Sequence, residues 1–380
     1  DHYNSVFDLP GISAGAVASL IGKIRRDGQY IVHNGAKEIV NAPAADVTEG
    51  FLYNRPFEPR DRKFFEPVLP ELSNYNQILL DILSHENMAS REPVFEQYDK
   101  QVQGRIYTET GLADAGVMAP FNSEKYPKEI RNIGIALSTD HNPRYGIISP
   151  YWCGINAVVE AMRNVAAVGA TPHAITDCLC FGNPEKLHQM WEFSEATRGV
   201  ADACHTITLK DNPNDPTPII AGNVSFYNES KNGAIPPSPI VSCLGRLKDV
   251  NKTVPAHFQK SDSIILMVGE RKDELGGSVY YSVFDQLGAN IPKPNLEEMK
   301  NQIFALTDCI DDGLVLSCHD ISDGGVASAL SEMTFGNGVG CDVNIDSDLQ
   351  TDKILFSETG GFVLEVSSEN VGAISTTFSK

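Results

Sequence analysis

The sequence lacks most of the short motifs that would assign a chemistry at once. It has no CxxC pair, no HExxH, no GxSxG, no Walker A motif and no GxGxxG continued into a dinucleotide fingerprint. Zincins, lipase-type hydrolases and P-loop NTPases are thereby disfavoured. No apolar run approaches the roughly 18 residues of a membrane span. Residues 1–28 carry no charged-then-apolar leader. Cations are scarce: 30 Lys and Arg against 50 Asp and Glu give a formal charge of −20. Nucleic acid is a poor partner, because its binding requires basic side chains to neutralise phosphates. A local pocket can still hold one small anion against that global field. The acidity points to a soluble cytoplasmic protein.

What is present is a globular composition. The 380 residues are 42% hydrophobic, 8% aromatic and 21% charged. That is enough apolar material for at least two cores, since single cores seldom outgrow about 250–300 residues. Eight cysteines are spread along the chain, and the Cys178-x-Cys180 spacing puts two thiols on one face of a strand. We read the cysteines as free and reduced, with zinc ligation or a disulfide as alternatives.

Residues 1–62 read as a small β-rich piece closed by a polar, proline-rich linker. Within it, the apolar run 17–24, the turn Arg25-Arg26-Asp27-Gly28 and a short strand at 30–32 predict a hairpin. Strand and helix patterns then alternate over 63–245 and again over 246–380, which makes the fold class α/β (α+β). Strands are predicted at 133–138, 218–221, 239–244, 264–268, 314–317 and 362–364. A helix is predicted over 156–168, with Val158, Met162 and Val165 on one stripe and Gly169 as its stop. Another is predicted over 322–333, with Ala327, Leu330 and Met333 inward.

Four segments are too rich in glycine and carboxylate to pass as ordinary connections. Asp177 ends an apolar run before a Gly-Asn-Pro turn. It can orient a ligand amine or a metal-bound water, or merely cap the turn. In 221–228 (AGNVSFYN), Gly222 lets backbone approach a phosphate and Asn223 offers Mg2+ a hard oxygen. Ser225 shares a strand face with Asn223; the plain alternative is a strand ending in a polar turn. Gly276-Gly277-Ser278 either presents helix N–H groups to an anion or forms a tight strand–helix turn. In 319–325 (HDISDGG), Asp320, Asp323 and two glycines suit a nucleotide or metal environment. His319 is a base or, more commonly for such a residue, a hydrogen-bonded structural group. Asp140 and Arg144 stand just past the 133–138 strand, at the end where open α/β sheets bind ligands. Asp99 and Arg105 are placed to form a surface pair of little weight.

Taken in order, these segments resemble the phosphoribosylformylglycinamidine synthase family. The resemblance runs through Ser90-Arg91-Glu92, Gln97-Tyr98-Asp99, 101–104 (QVQG), Pro150-Tyr151, 157–164 (AVVEAMRN) and 168–172 (VGATP). It continues through 176–179 (TDCL), 181–185 (FGNPE), 222–225 (GNVS), Tyr227-Asn228 and 319–325, and so covers essentially the whole chain. It implies a duplicated protein. Each half would have an ATP-binding-type α/β domain followed by a second α/β domain, similar to aminoimidazole ribonucleotide synthetase. The chain is expected to begin late in the first half, with 1–60 as its closing segment, and to stop short of the end of the second.

The family uses ATP to join ammonia to formylglycinamide ribonucleotide, giving formylglycinamidine ribonucleotide, ADP and phosphate. By motif, the resemblance gives ATP contacts to Asp177 and Gly222, Mg2+ to Asn223 and substrate to Ser225. It assigns Asp140, Asp320 and Asp323 to a second, pseudo-equivalent nucleotide site. The catalytic histidine is expected in the other half, so His319 is not the base. A glutaminase subunit and a small bridging subunit are the implied partners. Three departures stand out: Cys180 where Asn is expected, Lys100 where His is usual, and no Arg after Gly360. Two other readings stay open, a small-molecule kinase of the same superfamily and a non-catalytic half that binds a structural nucleotide.

Overall fold

The structure is a computed structural model that describes residues 4, 6–8, 11, 16–50, 53–98 and 100–379. The chain divides into two compact units, Asp1–Arg55 and Pro56–Lys380. In the first, β1 (Gln29–Asn34) and β2 (Lys37–Pro43) pair antiparallel, and helix α1 (Ala44–Glu49) follows. Asn34 pairs with Lys37, which leaves Gly35 as first loop residue at φ 60°. A two-residue hairpin loop favours glycine there, because its twist requires a positive φ. The predicted hairpin is therefore displaced. Residues 17–24 form no strand, and Leu20, Ile21 and Ile24 stand exposed. An apolar run becomes a strand only with a partner, and here β2 takes that place beside β1. Asp99 of the predicted surface pair lies outside the described residues.

Along the second unit come α2 (Asn76–Leu83), α3 (Glu92–Phe95), β3 (Ile106–Thr108), β4 (Gly116–Met118), β5 (Gly134–Asp140), α4 (Pro143–Ile148) and α5 (Pro150–Ala167). Next are β6 (Thr171–Cys180), α6 (Leu187–Thr206), β7 (Thr208–Leu209), β8 (Asn212–Pro216), β9 (Ile219–Ser225), β10 (Glu229–Ser230), β11 (Gly233–Ala234) and β12 (Ser238–Leu247). Six of these strands form one sheet in the order β3-β4-β5-β12-β6-β9. Its neighbours are antiparallel except β6 and β9, which run parallel. A parallel pair needs a long crossover, and α6 lies within it.

Helix α5 starts earlier than its apolar stripe alone indicates. Pro150 occupies the first helical turn, where its missing N–H leaves no bond unmade. Val158, Met162 and Val165 are fully buried against the sheet. The opposite sheet face is open: Leu137 is exposed, and Ile135, Ile240 and Leu244 are half-buried. At the sheet edge β9 exposes Ile219, Ile220 and Val224.

The remainder of this unit contains β13 (Ile264–Val268), α7 (Val279–Val283), α8 (Leu296–Asp311), β14 (Val315–Ile321), α9 (Gly325–Met333), α10 (Thr351–Phe356), β15 (Gly361–Val366) and α11 (Val371–Phe378). Its sheet is antiparallel, β13-β15-β14. The central strand β15 is buried at every residue, as a strand flanked on both edges and covered by helices must be. Met162 of α5, Ile303 and Leu306 of α8 and Leu364 of β15 belong to one apolar cluster. That shared core fixes the end of β5 against the end of β14.

Candidate functional site

The parallel β6–β9 pair sets four residues side by side. Asp177 lies opposite Gly222, Cys178 opposite Asn223 and Cys180 opposite Ser225. Side chains alternate across a strand, so the pleat divides the four. Asp177 and Gly222 share the helix side, where the Asp177 charge acts on Cys204 of α6. Asn223 and Ser225 share the open side. A Cβ at position 222 would fall 2.5 Å from Asp177 Oδ1, so glycine leaves the carboxylate its space. Partial burial raises the Asp177 carboxyl above its ordinary pKa. Asn223 is exposed and Ser225 half-buried.

The turn beyond β9 holds this edge in place. Phe181 N donates to Ser225 O at 2.9 Å, and Tyr227 N to Gly182 O at 2.9 Å. Asn228 Nδ2 donates to Ser225 O at 2.8 Å, to Ser225 Oγ at 3.1 Å and to Phe181 O at 3.1 Å. Tyr227 adopts φ 59° to close the turn, an uncommon conformation for a bulky residue. None of the four residues lines the cavity of about 950 Å³ beside Arg144, Lys186 and Glu192. They lie along the edge of the sheet and not in that cavity.

Asp140, Asp320 and Asp323 converge elsewhere, where β5 and β14 end. Arg163 of α5 is 2% exposed there, with Nη2 3.2 Å from Asp320 Oδ2 and 3.6 Å from Glu160 Oε2. Asn142 Nδ2 donates to Asp323 Oδ1 at 3.4 Å. Burial, reinforced by neighbouring carboxylates, pushes Asp140 up to about 7 and Asp320 and Asp323 up to about 6. Glu160 is raised well above the carboxylate range for the same reasons. One guanidinium cannot neutralise so many acids, and the cluster retains protons near neutral pH.

His319 sits beside this cluster with Nδ1 2.7 Å from Asp114 Oδ1 and Nε2 2.9 Å from Glu332 Oε2. Burial opposes its charge, but the two carboxylates prevail and raise its pKa well above the ordinary histidine value. Both ring nitrogens face carboxylates, which favour the charged imidazole, but only Nε2 makes an aligned hydrogen bond, to Glu332. Asp114, His319 and Asp320 bring ligand-type atoms within 4.8 Å of one another. A metal there would have to displace the histidine proton and the Asp320–Arg163 pair.

Glu358 explains the two glycine-rich turns. Its Oε1 accepts from Val279 N at 2.8 Å and from Gly324 N at 2.9 Å, and its Oε2 accepts from the Tyr145 hydroxyl at 2.5 Å. The N–H groups that suited an outside anion are met by this internal carboxylate. Ser278 caps α7 by accepting from Tyr281 N at 3.1 Å. Burial and then Asp323 push Glu358 up to about 8. Arg271 donates to the carbonyls of Thr359 and Gly360 at 2.5 and 3.2 Å, so a guanidinium reaches this loop from elsewhere in the chain. Sequence reasoning passed over Glu160, Arg163, Asp114 and Glu358. Glu160 and Arg163 did carry a signal: two charges three residues apart inside an apolar helix.

A six-stranded sheet with its helices, followed by a second α/β part packed on its main helix, defines a class of protein. The description AIR synthase related protein, N-terminal domain, matches residues 113–247, and its C-terminal domain counterpart matches 260–379. The chain belongs to the AIR synthase related family. It is 44% identical over 367 residues to the phosphoribosylformylglycinamidine synthase subunit PurL of Methanothrix thermoacetophila, covering 96% of this chain and 47% of that protein. The same-named subunit of Moorella thermoacetica is 36% identical over 359 residues, covering 92% and 46%. The chain thus spans about half the length of the curated relatives it matches. The solved T. maritima PurL complexed with FGAR aligns with a TM-score of 0.60 at 17% identity, over 81% of this chain and 48% of that one. T. maritima PurL complexed with ATP aligns at 0.54 and 19%, over 90% and 46%. These two likenesses show a shared fold.

Proposed function

We propose that this chain supplies one half of a composite active site in an ATP-dependent C–N ligase of purine biosynthesis. The whole enzyme converts formylglycinamide ribonucleotide and glutamine-derived ammonia to formylglycinamidine ribonucleotide, ADP and phosphate. The observation that carries this is the register that sets Asp177 beside Gly222, with Asn223 and Ser225 on the opposite face of the same edge strand. The names of the curated relatives support it, as do the FGAR and ATP complexes of T. maritima PurL. ATP contacts Gly222 and Asp177, and Ser225 meets the substrate. Asn223 gives an oxygen to Mg2+, which neutralises phosphate charge when bound. One neutral oxygen cannot complete the octahedral shell that Mg2+ demands. The remaining donors come from phosphates, water and the other half of the enzyme. Such chemistry depends on positioning and charge neutralisation, which suits a site without a nucleophile.

On this reading residues 1–62 close the preceding half, 63–245 form the ATP-binding-type domain and 246–380 the domain that follows. Asp140, Asp320 and Asp323 mark the pseudo-equivalent nucleotide position; their convergence supports that, whereas Glu358 takes N–H groups an incoming phosphate would use. A glutaminase subunit, a bridging subunit and a cytoplasmic setting complete the picture. The test mixes the chain with the missing half and follows ammonia-dependent ADP release with formylglycinamide ribonucleotide. Turnover is expected only from the mixture. Turnover by this chain alone would overturn the half-site reading, and a silent mixture of two folded halves would overturn the ligase reading.

A further inference from the structure

Cys178 and Cys180 take no part in that scheme. They lie two apart on β6, both half-exposed, with their sulfurs 3.7 Å apart. The remaining described cysteines are buried, apart from the exposed Cys341. Across the parallel pairing, Cys178 lies beside Asn223 and Cys180 beside Ser225. Two soft sulfurs and one exposed amide oxygen therefore share the open face of the sheet.

The sulfur spacing discriminates between chemistries. A disulfide must bring the sulfurs to about 2.0 Å, and its Cα atoms usually lie ~4.4–6.8 Å apart. Residues two apart on a strand are separated by about 6.6–6.8 Å, at the far limit of that range, so closing the bond would bend β6. Tetrahedral zinc with Zn–S bonds of ~2.3 Å sets two thiolates about 3.8 Å apart. The observed pair needs no backbone movement to meet that spacing. We propose that Cys178 and Cys180 form a bidentate site for a thiophilic divalent cation of the zinc class, with water completing the shell. Binding is M2+ + 2 RSH → M(SR)2 + 2 H+, with no change of oxidation state. Because two protons leave on binding, affinity rises with pH until both thiols are ionised.

The test titrates Cd2+ into the reduced full chain and follows the ultraviolet thiolate–cadmium charge-transfer band, with Zn2+ as competitor. We expect one ion per chain, two protons released per ion at a pH where both thiols begin protonated, and displacement of Cd2+ by Zn2+. Cys178→Ser and Cys180→Ser should each abolish the band, whereas Cys341→Ser should keep it. Bound Cd2+ should also protect Cys178 and Cys180 from iodoacetamide in the wild-type chain, read by peptide mass; this arm requires no variant to fold. A band that survives in both serine variants, a band lost in Cys341→Ser, or unprotected alkylation of the pair would each overturn the assignment.

Discussion

The β9 edge and the buried acid cluster treat polar groups in opposite ways. At β9 the polar side chains face solvent, make few bonds within the chain, and leave Asn223 available to a ligand. At the meeting of β5, α5 and β14, acidic groups crowd a single buried guanidinium and are bound to one another. The first arrangement adds little to stability and invites an outside partner. The second carries a large desolvation penalty that only its internal partners offset. Residues written with similar letters, an Asp beside glycines in both cases, thus differ in what they do. Substitutions in the cluster should appear in stability, and those at the edge in ligand binding.

The largest effect is expected at Arg163. Arg163→Ala leaves Glu160 and Asp320 facing each other without their cation. Breaking a buried pair from one side costs about 3–5 kcal/mol, readable as a lowered urea midpoint at neutral pH. The loss should shrink near pH 5, where the carboxyls can take up protons. An equal loss at both pH values would show that packing of the Arg163 stem, rather than its charge, supports the cluster.

The cluster also sets a pH profile. Asp320 and Asp323 near 6, Asp140 near 7 and Glu358 near 8 all lie above their unfolded values. Between about pH 4 and 8 the folded state therefore binds more protons than the unfolded chain, and stability falls as pH rises. His319 has the same sign: its raised pKa gives stability that is complete below about 6.5 and is lost as pH climbs through the folded value. Asp311, lowered chiefly by Lys252, acts oppositely but only at acid pH, and His141, lowered to about 4 by burial, acts oppositely up to about pH 6.5, where the more numerous raised carboxyls outweigh it. Each uncompensated proton contributes about 1.4 kcal/mol per pH unit. Urea midpoints should decline from pH 5 to 8, and Asp323→Asn should flatten the decline. A flat wild-type profile would mean that the carboxylates are already ionised and paired.

How much of this contrast was readable beforehand follows from its physics. Val158, Met162 and Val165 announced the main helix because burial imposes a 3.6-residue period; 264–268 announced β13 as a continuous apolar run, although Ile264 and Met267 stand exposed and the other three residues are half-buried. Asp177 and Gly222 were legible as polar breaks at the ends of apolar runs. Their division between two faces was not, since it depends on the register of β9 against β6. The joining of Asp140 to Asp320 spans 180 residues and is fixed by the packing of α8 on α5, which no local window contains. Glu358 was hidden for the same reason. It meets Val279 and Gly324 from a loop whose sequence signalled only a missing arginine.

A middle-sized effect should separate the support of the edge from its function. Asn228→Ala removes donors to Ser225 O, Ser225 Oγ and Phe181 O. With net hydrogen-bond values near 1 kcal/mol and partial solvent access, a loss of about 1–2 kcal/mol is expected. If Ser225 meets the substrate, that contact should weaken with it, because the turn that orients the hydroxyl loosens. Unchanged stability would mean that water replaces the amide, and that Tyr227 at positive φ fixes the turn without it.

The smallest change in stability should come from Asn223→Ala, and it bears most directly on the comparison. The side chain is exposed on an edge strand, where substitutions usually stay within about 0.5 kcal/mol. Alanine is a poorer strand former than β-branched residues, yet asparagine is depleted in strands too, so propensity gives little either way. If β9 is a ligand-binding edge, the variant should keep its urea midpoint while Mg2+-dependent nucleotide use by the reconstituted enzyme falls at least tenfold, with partial recovery at higher Mg2+. A matching loss of stability would make Asn223 a structural residue like those of the acid cluster. Intact stability with intact metal dependence would remove the metal role and leave Gly222 and Asp177 to carry the nucleotide contact alone.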